Sequence, residues 1–190
     1  MVTTQNNDRY WYALYTRPRF EKKADADLRQ NNLHSFLPLR MVIRHWSNNR
    51  RKKIEEPLFP SYVFVHVNLS ERNMAAHAYG VARMVRFGVE PARIPEQQIH
   101  AIYRLLGHGC DAEPHQYFNQ GDEVEVVSGP LMGLRGFFSE ERGNNKLVIS
   151  VDAIQLSIAV EVRKGQVRRI KSASNRSEKS QVKYIQSTHR

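Results

Sequence analysis

The sequence predicts an α+β protein: an antiparallel sheet with flanking helices, then a small β-barrel and a disordered tail. Strand and helix periods alternate up to residue 107, whereas only short strand-like segments occur between 120 and 170. Residues 171–190 are polar and have no period. We therefore place the first domain at 8–107, a linker at 108–119, the barrel at 120–170 and the tail at 171–190.

The first predicted elements are a strand and a helix. Residues 10–16 are aromatic and apolar, as is typical of strands. Pro18 ends this run because it lacks a backbone donor. An apolar face then recurs every four residues, which predicts a helix over 19–33.

A hairpin with a basic tip is predicted next. Residues 35–46 have strand character, and Ser47-Asn48-Asn49 is a turn signal. Residues 40–53 hold six bases and no acid. Together with Trp46 they suit phosphate binding and base stacking, but basic side chains also protect exposed sheet edges. Composition alone leaves both interpretations open. The basic run of this tip is Arg50, Arg51, Lys52 and Lys53.

The strand predicted at 57–67 is apolar on both faces. One face carries valines, and the other carries Tyr62, Phe64 and His66. Either both faces are covered within the domain, or a partner covers one of them. Tyr15 from the first strand is expected to join the aromatic face.

The rest of the first domain is predicted as a short helix, a strand and a longer helix. The short helix runs to about Tyr79, the strand spans 81–87 and residues 88–95 form a turn. The longer helix begins at Pro95 and ends at Gly107. Its apolar stripe comprises Ile99, Ile102, Tyr103 and Leu106.

Short strands separated by turn residues predict the barrel. They lie at 122–127, 137–138, 147–151, 158–162 and 166–170. β-branched residues dominate 147–151 and 158–162, which favours a stable β-barrel over a helical alternative.

Charge and composition exclude several classes of protein. The net charge of +10 is concentrated at 40–53 and 163–190, whereas 120–162 is acidic, so a uniformly basic, histone-like protein is excluded. The barrel is therefore not expected to bind nucleic acid generally. A single cysteine, Cys110, fits a reducing compartment. No apolar run suits a secretory signal or a membrane span, so no membrane association is expected.

No catalytic, metal or cofactor site is predicted. The glycines of 129–136 lack the Lys-Ser/Thr pair of a phosphate loop. The metal-ligating residue types at 108–115 have no second cluster, so a polar linker explains them better than zinc.

Four segments resemble a known family. WYALYTRPRFEKKADADLRQNNL, EEPLFPSYVFVHV and GVARMVRFGVEPARIPEQQIHAI closely resemble the N-terminal domain of NusG-type transcription elongation factors. GDEVEVVSGPLMGLRGFF resembles the KOW motif that follows it, and together they cover about residues 10–170. The segments are most similar to specialised paralogues of the RfaH, UpxY and LoaP type. The resemblance implies a NusG-like α/β sandwich, a KOW barrel and a cytoplasmic, non-enzymatic factor that reaches the nucleoid through RNA polymerase.

The resemblance also implies a polymerase-binding pocket. In the family this pocket docks on the β′ clamp helices, and the bound factor bridges to the β-subunit side of the cleft, keeps the clamp closed and suppresses pausing. The matching positions are Tyr15, Tyr62, Phe64 and Val81, with Phe59 and Pro60 in support.

Contact with non-template and upstream DNA is a second implication. The matching positions lie on the first helix and the loop before it: Arg17, Lys23, Asp27, Gln30 and Asn31. Arg19 and Lys22 add bases at this helix start, which attracts anions, although helix solvation explains them too. Asp27 stands where RfaH has a histidine, so we expect a different recognition sequence. The hairpin bases are expected to meet phosphates.

Family KOW domains recruit termination factor Rho or a small-subunit ribosomal protein. Residues 152–157 depart from the Ile-Phe-Gly-Arg loop of the housekeeping factor, which argues against Rho and for operon-specific antitermination. The alternative is a housekeeping elongation factor that supports Rho-dependent termination and couples transcription to translation. A third class is an RNA- or ribosome-associated KOW protein without a polymerase role.

Overall fold

The structure, a computed structural model, describes residues 8–45, 51–118, 121–141 and 143–171. The elements of the first part are β1 (Tyr10–Thr16), α1 (Glu21–Gln30), β2 (His34–Phe36), β3 (Leu39–His45), β4 (Arg51–Pro57), β5 (Tyr62–Val67), α2 (Glu71–Ala76), β6 (Val81–Met84), β7 (Arg86–Phe87), β8 (Glu90–Pro91), β9 (Arg93–Ile94) and α3 (Glu96–Gly107). Those of the second part are β10 (Glu113–Gln116), β11 (Glu123–Val126), β12 (Arg135–Glu141), β13 (Asn144–Val151), β14 (Leu156–Glu161) and β15 (Val167–Lys171).

The first sheet is built around β1, which pairs antiparallel with β5 on one side and with β6 and β9 on the other. β2 extends the sheet beyond β5. The β1–β5 register sets Tyr15 opposite Tyr62 and Ala13 opposite Phe64. The predicted mixture of an antiparallel sheet with helices is therefore confirmed in this part of the chain.

Each face of this sheet packs against an apolar cluster of the chain itself. On one face Leu14, Val63 and Val65 belong to an apolar cluster with Ala24 and Leu28 of α1. On the other face the cluster comprises Trp11, Ala13, Phe36, Phe64, Ile99 and Ile102 among others. The two apolar faces of β5 are thus explained mainly by core packing, because helices lie on both sides of the sheet.

β3 and β4 form a separate two-stranded hairpin, as predicted, with Leu39 opposite Pro57 and His45 opposite Arg51. The single strand predicted over 35–46 is wrong in one respect, since Leu37 and Pro38 divide it into β2 and β3. Pro38 has no N–H for a sheet ladder, and its carbonyl accepts from the Leu58 N–H at 2.9 Å instead.

α3 lies between the two parts of the chain. Ile99, Ile102 and Leu105 are fully buried, in one cluster that continues into β13 and β14 of the second part. Gln98 donates to the Asp152 carboxylate at 3.0 Å, and Arg104 donates to the Met132 carbonyl at 2.7 Å. The apolar surface of α3 is wider than the predicted stripe, because the helix packs on two sides.

The second part forms a six-stranded antiparallel sheet in the order β10-β14-β13-β12-β11-β15. The five predicted strands are confirmed, with shifted ends. The segment predicted as an aperiodic linker contains β10, which pairs with β14 and sets Pro114 opposite Ile158. The sequence gives no sign of this strand because Pro114 interrupts it, and proline is tolerated in edge strands such as this one.

Two further predictions concern short segments. The strand predicted over 81–87 divides into β6 and β7, and the predicted turn at 88–95 contains β8 and β9. The tail beyond residue 171 and the turn at Ser47-Asn48-Asn49 lie outside the described residues. No helix of the described part is long and apolar enough to span a membrane.

Candidate functional site

Tyr15 and Tyr62 form an aromatic pair at one end of the first sheet. They are cross-strand neighbours whose rings meet edge to face, with centroids 5.3 Å apart. The Arg83 guanidinium lies 5.1 Å from the Tyr15 ring centre, in cation–π range. Both tyrosines are partly buried. Burial, with a smaller contribution from Tyr15, raises the pKa of the Tyr62 phenol, so it stays neutral and can donate a hydrogen bond. We call this group the tyrosine surface.

Phe59 and Phe64 lie beneath the surface rather than on it. They are 1% and 0% exposed, and their rings meet edge to face at 5.6 Å. Phe64 also packs against Phe36, which stacks on Tyr103 of α3 at 3.8 Å. These phenylalanines therefore support the tyrosine surface from inside the core.

The loop before Tyr62 is held by a buried carboxylate. The Ser61 N–H donates to Glu21 Oε1 at 2.8 Å, and the Ser61 carbonyl accepts from the Thr16 N–H at 2.8 Å. Ser61 has a φ of 65°, a left-handed conformation that is uncommon for serine. Glu21 is only 8% exposed. Its carboxylate thus fixes the loop that carries Pro60, whose ring is exposed.

The structure does not bring Val81 to the tyrosine surface. Val81 pairs with Thr16 and packs with the cluster under α1, on the opposite face of the sheet from Tyr62. The β1–β6 register shifts between Tyr15 and Thr16. Val81 and Arg83 would share a face of a regular strand, but the shift puts them on opposite faces, so Arg83 rather than Val81 lies beside Tyr15.

A second group of side chains gathers where α1 begins. Arg17, Arg19 and Lys23 are exposed there. The Lys23 ammonium lies 4.7 Å from the Phe20 ring centre, and Phe20 packs on Tyr79 at 5.7 Å. Lys22 is exposed too, but it forms an ion pair with Glu55 of the hairpin at 3.2 Å.

Tyr79 gives this group an aromatic ring that is 56% exposed. An exposed ring next to cations can stack a nucleic-acid base while the cations meet phosphates. We call Arg17, Arg19, Phe20, Lys23 and Tyr79 the α1 surface.

The polar positions farther along α1 have structural partners. Asp27 accepts from the Tyr79 N–H at 2.9 Å and from the Asn31 side chain at 3.4 Å. Asn31 also donates to the Asp27 carbonyl at 2.8 Å. Gln30 is exposed. The Asp27 carboxylate therefore holds Tyr79 in place, which competes with its predicted role in reading a base.

The hairpin displays part of its basic run. Arg51, Lys52 and Lys53 are exposed on β4, so they lie along the strand and not only at a tip. Arg50 and Trp46 lie outside the described residues.

Asp122, just before β11, and Glu125 of β11 face bases of β12 and β15 in the second part. Glu125 lies between Arg135 at 3.6 Å and Arg168 at 3.1 Å. The hydrogen bond from Arg168, with the charge of Arg135, lowers the pKa of Glu125. Arg169 pairs with Asp122. The positive charge at the start of the basic C-terminal segment is thus partly neutralised by acids of the sheet that β15 joins.

Within the described ranges, no three side chains of histidine, cysteine or acidic type gather as a metal site would require. Burial raises the pKa of the Cys110 thiol, which makes it a poorer nucleophile.

Sequence reasoning missed Glu21, Phe20, Tyr79 and Arg83 as parts of these surfaces. For Phe20 and Tyr79 the signal in the sequence is Gly80. A glycine can adopt the φ of 83° that brings Tyr79 beside Phe20. Nothing in the sequence signals that Glu21 reaches Ser61, forty residues away.

Comparisons with known proteins indicate the family that the chain resembles. The family model described as "Transcription termination factor nusG" matches residues 9–103. The "Transcription termination/antitermination protein NusG" of Thermus thermophilus is 27% identical over 164 residues, which cover 74% of this chain and 89% of the relative. The protein of the same name from Helicobacter pylori strain J99 is 26% identical over 172 residues, covering 84% and 98%. A solved structure, "Domain interaction in Thermotoga maritima NusG", matches with 23% identity and a TM-score of 0.49, covering 86% of this chain and 98% of that chain.

Proposed function

Since the chain belongs to the NusG family of transcription termination and antitermination factors, we propose that it is an operon-specific antitermination factor. In this proposal it binds the β′ clamp helices of RNA polymerase and reaches the β-subunit side of the cleft. It keeps the clamp closed and so suppresses pausing and termination. The clamp-closed state is favoured by differential binding, without any bond being made or broken.

The observation that carries this proposal is the tyrosine surface. Tyr62 and Tyr15 present two rings on a rigid sheet, and the fully buried Phe64 lies on the strand that carries Tyr62. Rings that are already ordered lose little conformational entropy on binding, and tyrosine is enriched among residues that dominate interface energy. Arg83 adds a cation beside them.

DNA binding is proposed for the α1 surface and the hairpin. Arg17, Arg19 and Lys23 supply cations around the exposed Tyr79 ring, which suits a splayed base of the non-template strand. The cations of the hairpin suit upstream DNA. Since Asp27 holds Tyr79 in place, we propose that it supports DNA recognition indirectly.

A housekeeping role is the second candidate, and the names of the relatives do not separate the two, because each of those reported is a termination/antitermination protein NusG. The loop at 152–155 supports the operon-specific role. Gln98 and Tyr117 both donate to the Asp152 carboxylate, at 3.0 and 2.9 Å. This loop is therefore engaged within the chain, which we expect to disfavour Rho. Recruitment of a small-subunit ribosomal protein by the second part stays compatible with both roles.

The tyrosine surface is tested by Tyr62→Ala. Tyr62 is partly exposed, so we expect the variant to fold and to bind purified bacterial RNA polymerase at least about tenfold more weakly. Phe64→Ala is unsuitable, because removing a fully buried ring costs about 3–5 kcal/mol of stability.

Tyr79→Ala is the matched control, since it removes an exposed tyrosine of the α1 surface. It should bind polymerase as the unaltered protein does and lose affinity only when non-template DNA is present. Normal polymerase binding by Tyr62→Ala would refute the docking assignment. Clear stimulation of Rho-dependent termination would favour the housekeeping role.

A further inference from the structure

One face of the β3–β4 hairpin carries apolar and basic side chains side by side. The register pairs Met41 with Glu55, Ile43 with Lys53 and His45 with Arg51, so these three pairs share one face of the hairpin. Met41 is 57% exposed and Ile43 is 56% exposed. We call Met41, Ile43, His45, Arg51 and Lys53 the ribbon face; Glu55, the acid on the same side of the hairpin, is ion-paired with Lys22 at 3.2 Å. Two such exposed aliphatic side chains among cations need an explanation, because neither contributes to the core.

The opposite face of the hairpin is different. Val42 and Ile54 are opposed there and partly buried. Arg44 is neutralised by Glu56 at 2.6 Å. Within the described part of the chain, no ion pair links Arg51 or Lys53 to an acid. The ribbon face therefore offers both uncompensated charge and apolar surface.

We propose that the ribbon face binds the minor groove of duplex DNA, with Ile43 and Met41 as apolar wedges at base steps and Lys53 and Arg51 at the flanking phosphates. This inference rests on the proposed contact of the hairpin with DNA and specifies its form. Minor-groove proteins often insert Ile or Met between base steps and thereby bend the duplex.

The residue types distinguish this ligand from two others. Single-stranded DNA is bound by stacking on aromatic rings, and neither Ile43 nor Met41 has one. A protein partner would have to desolvate Lys53 and Arg51, and charged residues are depleted at the centre of protein interfaces. Phosphates match these cations, since the acid on this side of the hairpin, Glu55, is already ion-paired with Lys22.

The dimensions of a hairpin also fit. Side chains two residues apart on a strand are about 6.7 Å apart, which is close to two base steps of about 3.4 Å. Opposed side chains lie about 5 Å apart and the minor groove is about 6 Å wide. When Ile43 enters the groove, Lys53 is therefore beside its wall.

The test uses the full chain and a duplex of about 30 base pairs, which is far shorter than the persistence length of DNA. Fluorophores at the two ends report bending by energy transfer, and anisotropy reports affinity. Met41→Ala combined with Ile43→Ala should abolish the bend and weaken binding about tenfold, with an unchanged salt dependence. Arg51→Ala combined with Lys53→Ala should instead reduce the slope of log affinity against log salt by about 1.8.

Leu69→Ala combined with Met74→Ala is the matched control, because these apolar side chains are 66% and 50% exposed outside the hairpin. It should bend and bind DNA normally. A bend that survives loss of Met41 and Ile43, or a duplex that the unaltered protein does not bend at low salt, would overturn the proposal. Normal duplex binding by the Met41→Ala, Ile43→Ala variant together with loss of its polymerase binding would also overturn the proposal, because it would identify a protein partner. Because the duplex assay contains no polymerase, failure of the tyrosine surface leaves its outcome unchanged.

Discussion

At the scale of single residues, Gly80 sets the geometry of the α1 surface. Its φ of 83° is accessible to glycine, and a Cβ atom at this position would lie 2.9 Å from the Phe20 ring. Its carbonyl accepts from the Arg17 N–H at 2.9 Å. One residue therefore joins the segment after α2 to the loop before α1, and Tyr79 comes to lie against Phe20.

Gly80→Ala should lower the free energy of unfolding by about 1–3 kcal/mol, since it combines backbone strain with a steric clash. Chemical denaturation measures the change. Gly88→Ala is the control, because Gly88 also has a positive φ, of 60°, but no atom lies within 4 Å of its added Cβ. Equal losses for the two variants would show that the Phe20 contact is unimportant.

Glu21→Ala should destabilise the protein by about 1–3 kcal/mol, because it leaves the Ser61 N–H without its acceptor. Glu21→Gln keeps an acceptor oxygen at the same position and should restore most of this loss. We also expect Glu21→Ala to weaken polymerase binding, since the loop before Tyr62 is no longer fixed. If glutamine and alanine are equally destabilising, the hydrogen bond to Ser61 is not what Glu21 contributes.

At the scale of elements, periodicity predicted most helices and strands of the described chain but not what covers them. The two-residue alternation along β5 correctly placed Val63 and Phe64 on opposite faces of the sheet. It could not show that α3 covers Phe64, because that contact depends on a helix thirty residues later. Val81 was placed with Tyr62 by resemblance, whereas a register shift after Tyr15 puts it on the other face.

The pairing of β2 with β5 creates a pH-sensitive contact. His34 lies opposite His66, and both rings pack on Trp11, with centroids 5.1 and 5.0 Å from it. Although His34 is exposed at one edge, desolvation of its ring is the largest cause that lowers its pKa, and the positive charges of His66, Arg29 and Arg9 lower the pKa further. The folded state therefore binds a proton at His34 less readily than the unfolded state does.

Stability should consequently fall as the pH drops through the ordinary histidine pKa of about 6.5 toward the lowered pKa of His34. Above that range the contribution of neutral His34 to the free energy of unfolding is fully present. Urea midpoints at pH 7.5 and 5.5 measure the difference, and His34→Gln should make it smaller. An unchanged difference in His34→Gln would assign the effect to other groups.

At the scale of the whole molecule, α3 joins the first sheet to the second part. Its buried side chains lie in one apolar cluster with residues of both. The sequence predicted two domains and a linker, and composition alone could not show that a helix has two apolar sides. The charge is distributed in a related way: Glu125 and Asp122 pair with Arg168 and Arg169 of β15, whereas no ion pair within the described residues engages Arg51, Lys52 or Lys53 of the hairpin.

Leu105→Ala tests whether α3 joins the two parts of the chain into one cooperative unfolding unit. Leu105 is fully buried, so we expect a loss of about 2–5 kcal/mol. Unfolding followed by tryptophan fluorescence and by far-ultraviolet circular dichroism should give coincident transitions in both proteins. Two separate transitions in the unaltered protein would contradict a shared core.

The central claim is that the tyrosine surface docks this chain on RNA polymerase and makes transcription resistant to termination. The most direct measurement is in vitro transcription of the protein's own operon leaders by purified bacterial polymerase, with and without the factor. We predict shorter pauses and a higher fraction of transcripts past the terminator with the factor, and neither effect with Tyr62→Ala. Unchanged pausing and read-through with the unaltered protein, or equal effects from Tyr62→Ala, would contradict the claim.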